Sequence, residues 1–224
     1  MSEQTRADLS PAVQDYVKEI YKLQAETGRA GTTALAGRLG VAPPSASAMV
    51  KKLAGLGLAQ HKPYRGAVLT SRGEAIAIEM IRHHRLLEQY LSTTLGLGLD
   101  EVHAEADRLE HVLSEKLEAR IDESLGFPTH DPHGDPIPDA RLRLAAGTAS
   151  TLASVEPGAR ARILRVPDGD ADLLRYLAEL GLVPGETVAV VAAEPFGGPL
   201  TVSAGAAERP LARELAARIG VEPC

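Results

Sequence analysis

Tryptophan is absent from this 224-residue chain, aromatic side chains make up 3% of it, and the one cysteine is Cys224. With so few aromatics, the core must be built from Leu, Ile, Val and Ala. A lone cysteine excludes an internal disulfide and removes thiolate clusters from the metal sites the chain can build. No apolar run reaches eighteen residues, so no transmembrane helix is expected. The opening Met1-Ser2-Glu3-Gln4-Thr5-Arg6 lacks the basic-then-apolar layout of a secretion signal, and the chain reads as cytoplasmic, with no membrane partner.

Acid is in excess, with a formal net charge of −6, which argues against a nucleic-acid partner until its distribution is followed. Residues 1–73 carry 10 Lys and Arg against 5 Asp and Glu, a net +5. The remainder carries 14 against 25, a net −11. A basic head on an acidic body suits a polyanion for the head and cations for the body.

Ser10-Pro11 predicts a helix start with Ser10 as N-cap, running to Thr27 and ended by Gly28. Val13, Tyr16, Val17, Ile20 and Leu23 form its inner face, and Asp15 is an acid in its first turns, where the dipole favours one. Thr32 or Thr33 is expected to cap a short helix through Leu39. After Gly40, Pro43-Pro44-Ser45 opens another to about Leu56. Two short helices about a tight glycine turn make the helix-turn-helix pattern. Ser45 and Ser47 suit a base-facing surface, and Lys51 and Lys52 can reach phosphates. Leu58 to Leu69 predicts a strand, a turn and a strand with Lys62, Tyr64 and Arg65 at the tip, which completes a basic winged helix.

Thr70 is expected to cap a long helix from Ser71 to Leu95, and Asp100 a second one reaching about Leu125. On the second, His103, Asp107 and His111 are spaced four apart and share one stripe, with Glu110 beside them. His84 and Glu88 repeat the spacing on the first. Imidazoles and carboxylates so arranged make a divalent-metal half-site, and a solvated mixed-charge face is the alternative. Such a pair of long helices after a winged helix suits a homodimer, with recognition helices about one DNA turn apart. The loop from Gly126 to Pro138 is dense in Pro and Gly, so its His130, Asp131, His133 and Asp135, which could resemble a second metal site, are read as turn formers. Residues 140–156 read as a linker. Beyond it, Ala161–Val166, Thr187–Ala192 and Leu200–Ser203 predict strands around a helix from Asp170 to Leu180, with Pro210–Ile219 helical or irregular: a small β-barrel.

One family gathers these pieces. Asp15-Tyr16 with Ile20-Tyr21, Pro44-Ser45, Tyr64-Arg65-Gly66 and His84-Arg85-Leu86-Leu87-Glu88 belong to the set. So do Val102-His103 leading to Glu110-His111, and Asp131-Pro132-His133-Gly134 before Pro136-Ile137-Pro138. Together they resemble the diphtheria toxin repressor and manganese transport regulator family of metal-dependent repressors. The resemblance implies a mainly α fold: residues 1–73 a winged helix-turn-helix DNA-binding domain, and 74–146 a helical dimerisation and metal-binding domain. Residues 147–155 are then a linker, and 156–224 an SH3-like small β-barrel similar to the ferrous transport protein A domain.

The resemblance also implies a non-enzymatic homodimer on a palindromic double-stranded operator, repressing metal-uptake genes, with two ions per subunit. Asp15, Asp107, Glu110 and His111 match the regulatory position, and His84, Glu88 and His103 the other. Asp170, or alternatively Asp172, matches a carboxylate from the last domain. Iron-type members carry cysteine and methionine where this chain has Asp107 and Asp15, so Mn²⁺ is favoured over Fe²⁺. Manganese-type members carry an acid one turn after Asp15, where this chain has Lys18, so separate sites are expected instead of one shared cluster. Metal would fix the angle of the DNA-binding head, and without it Asp15, Asp107 and Glu110 would repel one another. Two alternatives remain at this point: a winged-helix repressor with an organic effector, and a carboxylate metalloenzyme, for which no nucleophile motif is found.

Overall fold

A proline opens the first helix and a left-handed glycine closes it. In the computed structural model, residues 9–62, 66–145, 147, 150–205 and 207–224 are described. Helix α1 spans Pro11–Thr27, with Gly28 at φ 76° donating its N–H to the Gln24 carbonyl. Ser10 has the extended backbone of an N-cap, but its side chain makes no capping bond. Chain contacts divide the protein into two units: Met1–His84 with Leu109–Arg120 and Pro138–Leu144, and Arg85–Arg108 with Ile121–Ile137 and Ala145–Cys224.

In the first unit, α2 (Thr32–Arg38) and α3 (Pro43–Gly55) follow α1. Gly31, not a threonine, holds the N-cap position of α2. The predicted inner face of α1 is buried, and it packs in one cluster with Leu35, Val50, Leu53, Leu58, Ile76 and Met80. Strands β1 (Ala59–Lys62) and β2 (Gly66–Leu69) form the antiparallel wing, with Ala59 opposite Leu69. Tyr64 and Arg65, expected at the wing tip, lie outside the described residues. Ala30 and Ala67 exchange both backbone hydrogen bonds, which ties the wing to the segment after α1. That approach requires Gly66: its φ is +82°, and a Cβ there would lie 2.3 Å from the Ala30 carbonyl oxygen. Helix α4 spans Ser71–Leu95 and starts as expected, with the Thr70 hydroxyl accepting from the Gly73 N–H at 3.2 Å.

The following helix does not reach Leu125. Helix α5 covers Leu99–Leu109, a turn follows, and α6 covers Glu115–Ser124. Ser114 is the reason on the far side, because its hydroxyl accepts from the Leu117 N–H at 3.3 Å and starts a new helix. His111 therefore leaves the stripe that carries His103 and Asp107. Asp100 is in the first turn of α5, not at its cap, and pairs with Arg175 at 3.0 Å.

The second unit ends in a five-stranded antiparallel sheet ordered β6-β5-β4-β3-β7. Its strands are β3 (Arg160–Arg165), β4 (Thr187–Ala193), β5 (Leu200–Ala204), β6 (Ala207–Leu211) and β7 (Gly220–Pro223). Helix α7 (Ala171–Glu179) and the short α8 (Arg213–Ala216) complete it. Ile163, Leu177, Leu182, Val188, Leu200 and Ile219 are in its core. The two edge strands, β6 and β7, escape the sequence pattern. Strand β6 is exposed except at Leu211 and contains Pro210, which edge strands tolerate, and β7 is only four residues long. Gly66→Ala is expected to lower the stability of the first unit by about 2 kcal/mol or more, read from denaturant unfolding, because the left-handed strain and the clash with Ala30 add.

Candidate metal centre

Two groups of side chains with ion-binding donors stand out, one in each unit. In the first unit, α1 brings Asp15 to the turn after α5. His111 Nε2 lies 3.1 Å from Asp15 Oδ1 and 3.9 Å from Glu110 Oε1, and its Nδ1 faces Gln14 Oε1 at 2.8 Å. The donor atoms of Asp15, Glu110 and His111 all lie within 4.8 Å of one another. Glu110 is fully buried, at 0% exposure. One oxygen takes the Lys18 ammonium at 2.6 Å, and the other faces His84 Nδ1 at 2.7 Å. Burial alone would raise the carboxyl of Glu110, but the His84 hydrogen bond and the Lys18 charge outweigh it and hold it below the usual range. At Glu110, then, the expected repulsion among metal-free carboxylates is offset by the Lys18 ammonium and the His84 hydrogen bond. Breaking such a buried pair leaves a bare charge, at a cost of about 3–5 kcal/mol.

His83 supports this turn from behind. It is buried, with Nδ1 3.3 Å from the Glu110 carbonyl oxygen and Nε2 2.9 Å from Glu118 Oε2. Arg82 Nε donates to the other oxygen of Glu118 at 2.5 Å. Sequence spacing picks out neither His83 nor Gln14, because each holds a ligand candidate through a partner distant in the chain.

In the second unit, His103 Nδ1 lies 3.1 Å from Glu88 Oε1, and its Nε2 lies 3.6 Å from Asp107 Oδ2. The loop read as a turn contributes more than a turn. Asp131 does shape it, with Oδ1 accepting from the His133 and Asp135 N–H groups at 2.9 Å each. Yet Asp131 and His133 are buried, and their donor atoms cluster with Glu88 within 4.8 Å. Among the described residues, His133 Nδ1 is buried without a hydrogen-bond partner, and Glu88 Oε2 stands 3.6 Å away. The other ring nitrogen faces the Leu99 carbonyl at 3.0 Å, which orients the ring. A buried imidazole nitrogen beside two buried carboxylates fits a divalent cation. The signal in the sequence was the Asp131-x-His133 pair, outweighed by its surrounding prolines and glycines. His130 and Asp135 do not join: His130 is exposed, and Asp135 pairs with Arg85 and Arg165 at 3.2 Å each.

Asp170 sits at the N-cap of α7, accepting from the Leu173 N–H at 3.1 Å. It is in none of these donor groups, although the backbone before it passes close to His103: a Cβ at Gly169 would be 3.7 Å from His103 Nε2. Asp172 is exposed and pairs with Arg175. On α3, Pro44, Ser45, Lys51 and Lys52 are exposed and Ser47 is half-buried, while Val50 and Leu53 face the core.

Family profiles match three consecutive stretches. Residues 8–67 match the iron dependent repressor N-terminal DNA binding domain, 70–139 the iron dependent repressor metal binding and dimerisation domain, and 150–223 the FeoA domain. The iron-dependent repressor IdeR of Mycobacterium leprae is 33% identical over 96% of this chain and 98% of its own length. The chain belongs to the diphtheria toxin repressor and manganese transport regulator family. The transcriptional regulator MntR of Escherichia coli O6:H1 is 38% identical over 46% of this chain and 66% of its own. A solved manganese-dependent transcriptional repressor in complex with manganese superposes with a TM-score of 0.85 at 38% identity, covering 95% of this chain and 100% of that one. As a member of this family the protein is a metal-dependent transcriptional repressor and not an enzyme, with DNA and a second copy of itself as partners. The organic-effector and metalloenzyme readings are set aside accordingly.

Burial and the Glu88 carboxylate dominate the protonation of the second group. Desolvation, with Glu88 and Asp135 nearby, pushes Asp131 up to about 7. Desolvation lowers His133, but the Glu88 contact overrides it and carries the imidazole up to about 9. Both folded values lie above the ordinary ones, so each group stabilises the metal-free fold at low pH, and that contribution is lost as pH rises through the folded value. Metal-free protein is therefore expected to melt at progressively lower temperature from pH 6.5 to 9. A divalent ion held by this group would require the deprotonated ligands, so saturating Mn²⁺ should flatten or reverse the trend if the group binds it. A melting temperature that rises with pH in the metal-free protein would contradict these assignments.

Proposed function

We propose that the protein is a manganese-activated homodimeric repressor of metal-uptake genes, with Fe²⁺ as the weaker activator and a palindromic operator as its target. The donor chemistry carries this reading: Asp15, Glu110 and His111 offer oxygen and nitrogen, with no sulfur ligand, a set that suits Mn²⁺. Asp107 is the fourth donor assigned to this regulatory ion. Glu88 and His103 serve a second ion, together with His84 one turn earlier on α4, and Asp131 and His133 are added to that set on the strength of their burial. Asp170 joins from the last domain by giving up its cap on α7. The bound ion supplies a divalent charge that several carboxylates share. The chain's own residues do the rest: Asp15 belongs to α1, which carries the DNA-binding head, and Glu110 and His111 to the turn after α5, so sharing an ion makes the two move as one. A tenfold shift of the equilibrium towards the DNA-competent state needs about 1.4 kcal/mol of differential metal affinity. Leu109, Val112 and Leu117 are each exposed on the first unit and are assigned as apolar surface for the second copy. Residues 1–73, 74–146 and 156–224 are taken as the working domains, joined through 147–155.

Operator binding titrated anaerobically with Mn²⁺ and with Fe²⁺ tests the reading. Mn²⁺ should tighten DNA binding at least tenfold and more than Fe²⁺ does, and Asp107→Ala with Glu110→Ala should abolish the response. A metal response that survives both substitutions would sink it. On the DNA side, Lys51→Ala should weaken binding alike across operator sequences and lower the salt slope by about one, since a phosphate contact carries no sequence information.

A further inference from the structure

We propose that Lys18 is a tethered cation that competes with the regulatory metal ion for Glu110, and so sets the metal concentration at which the repressor switches. The inference rests on the regulatory-site reading above and extends it to a residue that reading leaves without a role. The Lys18 ammonium lies 2.6 Å from Glu110 Oε1, and its side chain is 7% exposed, so it is built into the site and is not a surface lysine in passing contact. It reaches there from α1, one helical turn beyond Asp15, in the same unit as Glu110 and His111. The donor atoms of Asp15, Glu110 and His111 converge within 4.8 Å, and the oxygen of Glu110 nearer to His111 is the one Lys18 holds. Its other oxygen is engaged by His84. An entering divalent ion must therefore take Oε1 from a full positive charge, or share it at a separation where two cations repel strongly in a buried setting. Displacement is the outcome of that conflict. Metal binding then includes the release of a buried ion pair, so the affinity is lower than the same ligands would give beside a neutral side chain.

The pair has a second consequence. Before metal arrives, Lys18 already links α1 to the turn carrying Glu110 and His111. The metal-free state holds these two elements together with one charge, and the ion replaces that link with a stronger one. A neutral residue at position 18 removes the competitor and also leaves the Glu110 charge answered by His84 alone, and both effects favour the metal-bound state.

Full-length wild-type protein, Lys18→Met and Lys18→Arg are compared by equilibrium Mn²⁺ binding, read from the electron paramagnetic resonance of free Mn²⁺, and by melting with and without Mn²⁺. Lys18→Met should bind its tightest Mn²⁺ at least tenfold more strongly than the wild type. It should melt lower without metal and recover most of that loss with it. Lys18→Arg, which keeps the charge, should shift the affinity less than threefold. Unchanged or weaker Mn²⁺ binding by Lys18→Met overturns the proposal while leaving the metal site intact. A wild type that binds no Mn²⁺, and does not differ from Glu110→Gln, overturns both the proposal and the reading beneath it. Should Lys18→Met fail to fold without metal, the wild type alone decides. Its Lys18 ammonium, buried in the Glu110 ion pair, should give a resonance that vanishes on adding Cd²⁺, a diamagnetic probe, and absence of that resonance without metal or its persistence at saturating Cd²⁺ overturns the proposal.

Discussion

A single buried carboxylate organises the regulatory end of this protein. Glu110 has no exposed surface, so its charge must be answered from within the fold, and it is answered twice, by Lys18 from α1 and by His84 from α4. Three elements far apart in sequence are thereby brought to one point. Burying a charge is costly enough that these partners are required for the fold to hold. The same demand makes the point receptive to a divalent ion. A site that must attract positive charge in order to fold will respond to whichever cation offers more of it.

The second group follows a different logic. Glu88, Asp131 and His133 are buried close together, and their own protons, not a lysine, keep the group tolerable without metal. The loop that carries Asp131 and His133 is shaped by the carboxylate that also faces Glu88 and His133, so fold and site share one side chain. In the proposed reading, an ammonium would compete for one candidate ion position and protons for the other. Metal uptake at the two would then answer to different variables.

The DNA-binding head is built on apolar packing. Its core is a single apolar cluster, and its wing is held by backbone hydrogen bonds to Ala30. The chain as a whole is acidic, yet its first 73 positions carry a net charge of +5, which is where polyanion binding needs it. Under the proposed mechanism, metal would govern how the head is held, through Asp15 on α1, whose inner face is part of the head's own core.

By itself, the sequence determined whatever depends on neighbours along the chain. The apolar face of α1, the limits of α4, the wing and three of the five strands of the last sheet all follow from local periodicity, capping and turn residues. The ligand candidates spaced four apart were legible for the same reason. Tertiary structure decided the rest. Helix α5 stops at Leu109 because Ser114 starts another helix and Glu110 is claimed by distant partners, so His111 meets Asp15 from a turn and not from a helical stripe. Strands β6 and β7 lie at sheet edges, where pairing with one neighbour replaces the alternating pattern that marks a half-buried strand. Asp131 and His133 looked like turn formers because their companions are prolines and glycines, and only their burial against Glu88 reveals a second role. Lys18 changed most. In the sequence it was a missing acid, and in the fold it is the ammonium paired with the buried Glu110 carboxylate.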